Sequence, residues 1–160
     1  MPLSKLREFL DSHHIKYLVI SHSLAYTAQG VAALAHVSGK KLAKTVIVKL
    51  DGALAMTVIP ASDHVDLDRL RTFSGSRSVE LATEQEFKDA FPDCETGAMP
   101  PFGNLYDMPV YADVSLGENE EITFSAGTHR ELVRMNWADM LRLVNPTVCR
   151  LTYGRPSMAA

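Results

Sequence analysis

The sequence predicts an α+β domain in which helices surround a mixed, largely antiparallel, barrel-like sheet. Three observations carry that prediction. β-prone runs and amphipathic stretches are interspersed, but not in the strict alternation of a doubly wound fold. Two apolar runs, residues 44–50 and 53–59, are joined by Asp51-Gly52, the two-residue signature of a type I′ hairpin. The chain has 160 residues, of which 46% are hydrophobic, so one domain spanning 1–160 buries a sizeable core without staples.

Taken in order, the first helix runs from Ser4 to His14, with Leu6, Phe9, Leu10 and His13 on one face and Ser4 as its cap. Lys16–Ile20 is a short β-prone run. Thr27 reads as the N-cap of a helix that turns Val31, Leu34 and Ala35 inward and stops near Ser38-Gly39. The hairpin follows, then a short helix from Asp66 to Phe73 that ends before Gly75. Thr83-Glu84-Gln85-Glu86 is a capping box opening a helix with Phe87, Ala90 and Phe91 on one face, stopped by Pro92.

From Pro92 to Gly103 periodicity disappears, and a stretch of about twelve irregular residues in a compact domain hints at a functional loop. Strands at Val110–Val114 and Ile122–Phe124 come next, then the turn Ala126-Gly127-Thr128-His129 and a strand at Leu132–Met135. Asn136 caps a last helix with Trp137, Met140, Leu141 and Val144 inward.

Composition narrows the function classes. Charged residues make up 22% and the formal net charge is −3, which excludes wholesale disorder and the global basic field of a duplex binder. A short nucleic-acid end needs no such field. No apolar run approaches the ~20 residues that span a bilayer, so no membrane association is expected and the location is read as cytoplasmic. Two cysteines, Cys94 and Cys149, are too few for a disulfide framework or a four-thiolate zinc site, and the histidines show no metal-like spacing. No metal or cofactor is therefore expected.

Three features carry candidate chemistry. Lys44 shares a strand face with Val46, Val48 and Leu50. Its amine is either a snorkelling strand-end lysine or a cation at the rim of an apolar face that meets an anion or carbonyl. Gly97-Ala98-Met99-Pro100-Pro101-Phe102-Gly103 is either a stiff connection or a rigid loop holding backbone N–H groups toward a developing oxyanion. Phe124-Ser125-Ala126-Gly127-Thr128-His129 is not a nucleophile elbow, because Thr123 stands where glycine is required. His129 is either a polar turn residue or an acid, base or donor to a ligand.

In this order the pieces resemble the YbaK family, the editing domain associated with prolyl-tRNA synthetase. They are His22 through Tyr26-Thr27-Ala28-Gln29, Ala43-Lys44-Thr45-Val46, Gly97-x-x-x-Pro101 with Gly103, and Ala126-Gly127-Thr128-His129. The similarity extends from about His22 to Val144.

The resemblance implies a free-standing deacylase that hydrolyses the ester of a mischarged tRNA in trans. Its substrate is the acceptor end carrying a small amino acid such as alanine or cysteine on tRNA(Pro). A cognate synthetase is a possible partner. It also implies Lys44 and Gly97 as the catalytic positions, with His22, Thr27, Pro101, Phe102, Gly103, Ser125, Gly127 and His129 around the substrate. Water attack is then assisted by the substrate's own vicinal hydroxyl. Two other readings are a non-catalytic module that binds aminoacyl-tRNA ends or a synthetase, and an unrelated small-ester or thioester hydrolase.

Overall fold

The computed structural model describes residues 3–21 and 42–153. The expected helix beginning at Thr27 lies outside the described residues. The elements are α1 (Ser4–Ser12), β1 (Tyr17–Ser21), β2 (Leu42–Leu50), β3 (Ala53–Pro60), α2 (Leu67–Ser74) and β4 (Val79–Leu81). They continue with α3 (Glu84–Phe87), β5 (Val110–Asp113), β6 (Glu121–Ser125), β7 (Glu131–Asn136), α4 (Trp137–Val144) and β8 (Thr147–Cys149).

The turn chemistry explains the joints. Asp51 and Gly52 take φ of 50° and 86°, both in the left-handed region that a type I′ hairpin demands. The Asp66 carboxylate accepts from the Asp68 and Arg69 amides to start α2, and Gly75 at φ 72° ends it. Thr83 and Glu86 form the reciprocal capping box, and Asn136 caps α4 by accepting from the Ala138 amide at 3.0 Å.

The sheet runs β1-β7-β6-β2-β3-β5-β8, with β4 also paired to β2. Ladders β1/β7, β6/β7, β2/β3 and β2/β4 are antiparallel, while β2/β6, β3/β5 and β5/β8 are parallel. Strand β2 organises this layout. One edge pairs with β3 along nearly its whole length. The other edge is divided: β6 takes Leu42 and Ala43, and β4 takes Val48 to Leu50. Between them, from Lys44 to Ile47, that edge forks.

Two apolar clusters lie on opposite faces of the sheet. One gathers Ala43, Ile47, Met56, Val58, Ile122 and Phe124 with Leu6 and Leu10 of α1 and with Met99 and Phe102. The other gathers Val48, Ala55 and Ile59 with Val65, Leu70 and Leu151. Alternation along β2 sends Lys44, Val46 and Val48 to this second face. The C-terminal segment is tied down by Asp113, whose buried carboxylate accepts from the Leu151 amide at 2.8 Å.

Several expectations are corrected. Ser4 is not the cap of α1; Leu3 holds that position and no side chain caps the helix. His13 is exposed rather than inward, its Nδ1 2.9 Å from the Phe9 carbonyl. Helix α3 lasts one turn and tightens into a 3-10 segment, Lys88–Ala90. The reason lies at Phe91, where the following Pro92 disfavours helical backbone and the chain takes φ −127°, ψ 60°. Strands β4 and β8 and the 3-10 segment Val114–Glu118 are additional; elements of three to five residues leave no readable period.

Candidate active site

Lys44 stands at the fork. In the hairpin register it faces Ile59. The parallel ladder to β6 ends one residue before it, at Ala43↔Phe124, and Phe124 is followed by Ser125 at the end of β6. Alternation then sets Lys44, Thr123 and Ser125 on one face, where the Thr123 hydroxyl accepts from Arg134 Nε at 3.3 Å.

Lys44 also lines a pocket of about 350 Å³ with Val46, Ile59, Val65, His64, Leu81 and Tyr153. The walls are largely apolar, so burial holds the ammonium below the ordinary lysine value of 10.5, while the negative charge of Asp63 pulls it partly back. A cation kept short of solvation at a pocket mouth is primed to gain from an incoming anion or carbonyl.

The glycine–proline loop is fastened to the same strand end. The Glu95 amide donates to the Gly127 carbonyl at 2.8 Å, and the Gly127 amide donates to the Ala98 carbonyl at 2.9 Å. The His129 amide donates to Glu95 Oε1 at 2.6 Å, and His129 Nε2 lies 2.7 Å from the Thr96 carbonyl. Because a carbonyl only accepts, Nε2 carries the proton in that bond. Loop 95–98 and turn 127–129 thus form one braced unit that leaves directly from Ser125.

The glycines of the loop serve different ends. Gly97 takes φ 84°, with His129 Cε1 3.4 Å from where a Cβ would stand, so its backbone conformation requires glycine. Gly103 is a matter of space, since a Cβ there would meet the Met108 carbonyl oxygen at 2.4 Å and Val110 Cγ2 at 2.5 Å. Ala98, Met99, Pro100 and Pro101 are buried, leaving the backbone as the loop's chemical face. Among the described residues the Gly97 amide donates no backbone hydrogen bond.

The structure therefore sorts the candidates. Lys44 and Ser125 share a face, and Gly97, Gly127 and His129 share the braced unit that continues from Ser125. The ring of Phe102, expected near the substrate, is fully buried and packs against Phe9 at 6.0 Å and Phe124 at 5.6 Å between centroids. Gly103 likewise packs against Met108 and Val110. His129 is 5% exposed and braces the loop through its Nε2, which donates to the Thr96 carbonyl. None of Gly97–Gly103 lines the Lys44 pocket. His22 and Thr27 lie outside the described residues.

Asp63, His64 and Tyr153 were not singled out from sequence as site residues, nor were Glu95 and Thr96. For the first two a signal existed: a type I′ turn at Asp51-Gly52 fixes the pairing Lys44↔Ile59, so residues just beyond Pro60 return toward Lys44. Tyr153 has no such local signal. Among the described residues no group of three or more His, Cys, Asp or Glu is placed to hold a metal ion. No helix there is long and apolar enough to cross a membrane.

The thiols are not activated. Burial pushes Cys94 up, opposed by a contact with the Tyr106 hydroxyl, and burial beside Asp113 pushes Cys149 up to about 11.

Comparison with known proteins adds an independent line. The family model described as "Aminoacyl-tRNA editing domain" matches residues 22–143. The chain is similar to the multifunctional Ser/Thr-tRNA deacylase ProXp-y of Escherichia coli K12, with 26% identity over 147 residues, 89% of this chain and 87% of that protein. It is 27% identical over 99 residues to proline--tRNA ligase of Bacillus mycoides, covering 57% of this chain and 17% of the ligase.

Among solved structures, a candidate trans-editing enzyme for prolyl tRNA synthetase aligns with TM-score 0.79 at 22% identity, over 94% of this chain and 96% of the other. The hypothetical protein APE2540 aligns with TM-score 0.85 at 19% identity, over 94% and 100%. These two likenesses show the fold. With a family match covering most of the chain, this protein belongs to the aminoacyl-tRNA editing domain family, hydrolases of the ester bond of aminoacyl-tRNA.

Proposed function

We propose that this chain acts as one editing domain, 1–160, that hydrolyses in trans the ester joining a small, wrongly attached amino acid to the terminal adenosine of a tRNA. Lys44 supplies positive charge at the ester, and the backbone N–H groups of the braced loop, Gly97 first, stabilise the oxyanion. Water, assisted by the vicinal ribose hydroxyl of the substrate, adds to the carbonyl carbon. The acyl–oxygen bond then breaks, releasing free amino acid and intact tRNA. An aminoacyl ester is already activated, so positioning and carbonyl polarisation supply most of what the reaction needs.

The observation that carries this reading is the half-buried Lys44 amine lining an apolar pocket, on the strand whose preceding residue, Ala43, pairs with Phe124 just before Ser125 and the turn that fastens the loop. The edited group is small. Serine and threonine are the first candidates, supported by the printed name of the Escherichia coli relative and by Thr123 and Ser125 lying on the same sheet face as Lys44. Alanine and cysteine are the next. The relation to proline--tRNA ligase supports tRNA(Pro) as an acceptor and a synthetase as the supplier of substrate in the cytoplasm. A second sieve is useful here because a synthetase pocket separates side chains differing by one methylene by only about 1–3 kcal/mol.

The test is a deacylation panel pairing several tRNAs with serine, threonine, alanine, cysteine and proline. Release of at least one small amino acid at tenfold or more over the uncatalysed rate, with the correctly charged tRNA spared, is the expected result. No release across the panel would overturn the reading.

A further inference from the structure

We infer that the Lys44 pocket receives the nucleobase of the tRNA's terminal adenosine, not the amino acid; this rests on the deacylase reading and assigns that site a subsite. Three observations carry it. The first is size: about 350 Å³ lies at the lower end of small-ligand sites, roomy for a heterocycle and far larger than a methyl or hydroxymethyl side chain.

The second is chemistry. Val46, Ile59 and Val65 form apolar walls, and Leu81 and Tyr153 stand at the rim, 55% and 62% exposed. His64 completes that rim. Unpaired bases at RNA ends are held in this way, by stacking on exposed aromatic and imidazole rings over an apolar floor.

The third is direction. Along β2 the apolar pocket extends from Lys44 toward Val46 and toward β4, whose Leu81 pairs with Val48. Ser125 and the braced loop lie the other way, toward β6. An aminoacyl-adenosine whose ester is at Lys44 therefore has its two ends separated by the fork. The base goes to the β4 side, and the aminoacyl group goes to the β6 side.

The experiment uses the full chain and two probes, adenosine 5′-monophosphate and ribose 5-phosphate, which share the sugar phosphate but not the base. Binding is followed by NMR shift changes, and inhibition is followed in the deacylation assay. The expected result is that the adenosine probe binds at least tenfold more tightly and perturbs the resonances of Val46, Leu81 and Tyr153. Because both rim side chains are exposed, Tyr153→Ala and Leu81→Ala preserve folding, and each is expected to weaken the adenosine probe and raise KM for aminoacyl-tRNA at least fivefold. Equal binding of the two probes, or both variants staying within twofold of wild type, would overturn the inference. Absence of any deacylation by the wild type would instead sink the proposed function, leaving the binding comparison to decide the subsite separately.

Discussion

Removing the Lys44 amine should damage turnover without damaging the fold, and the structure says why the two effects separate. Lys44→Met keeps an apolar stem against the pocket walls and deletes only the charged end. That end is held below its ordinary pKa by burial, so folding makes the charged form less favourable than it is in water. The sign follows: a lysine with a lowered folded pKa subtracts stability below that pKa, so its removal does not lower the melting temperature.

In the reaction the same amine meets the ester or its neighbouring phosphate. A hydrogen bond to a charged partner is worth about 1.5–3 kcal/mol, or about a 10- to 150-fold loss in kcat/KM. Lys44→Arg keeps the charge but brings a wider, planar head, and recovers only part of the loss. The assay is release of amino acid from mischarged tRNA, run beside thermal melts of each variant. A kcat/KM for Lys44→Met within threefold of wild type would refute the reasoning. So would a loss matched by a fall in melting temperature, because the defect would then be one of folding.

Two further predictions concern loop and surface. Gly103→Ala drives a Cβ into the Met108 carbonyl, a backbone atom with no rotamer to escape into, and overpacking of this kind costs about 1–3 kcal/mol or more. Gly97→Ala brings a Cβ only into ordinary contact with the His129 ring, 3.4 Å away, but forces alanine onto a left-handed backbone, about 1–2 kcal/mol; melting curves should therefore rank Gly103→Ala as the more damaging, by several degrees below wild type. On the surface, the Lys49 ammonium, and secondarily the Thr83 amide, hold the Glu86 carboxyl down to about 2. Its contribution to stability is complete above the ordinary carboxyl value of 4.5 and fades as pH falls toward 2. An NMR titration should find Glu86 titrating at about 2, and Lys49→Met should move it back up.

Much of this protein is readable without coordinates, because its joints are made of local chemistry. Asp51-Gly52 writes the hairpin and its register into two residues, since their left-handed backbone favours one turn type. Asp66 with Gly75, the Thr83–Glu86 box and Asn136 write three helix ends in the same way. Lys44 and the glycine–proline loop were legible as candidates, each being a residue type out of place in its surroundings. What the sequence leaves unsaid is every relation carried by contacts distant along the chain.

The fork of β2 between β6 and β4 arises from parallel and antiparallel ladders to segments far apart in sequence, and no periodicity encodes it. Phe102 belongs to the core because Phe9 and Phe124 arrive from elsewhere in the chain to enclose its ring. His129 braces a loop some thirty residues earlier, and Tyr153 closes a pocket whose other walls lie in the hairpin and α2 region. Caps and turns are decided by neighbours, and so they are spelled locally. Pockets are decided by which distant surfaces burial brings together, and only the folded chain holds that information.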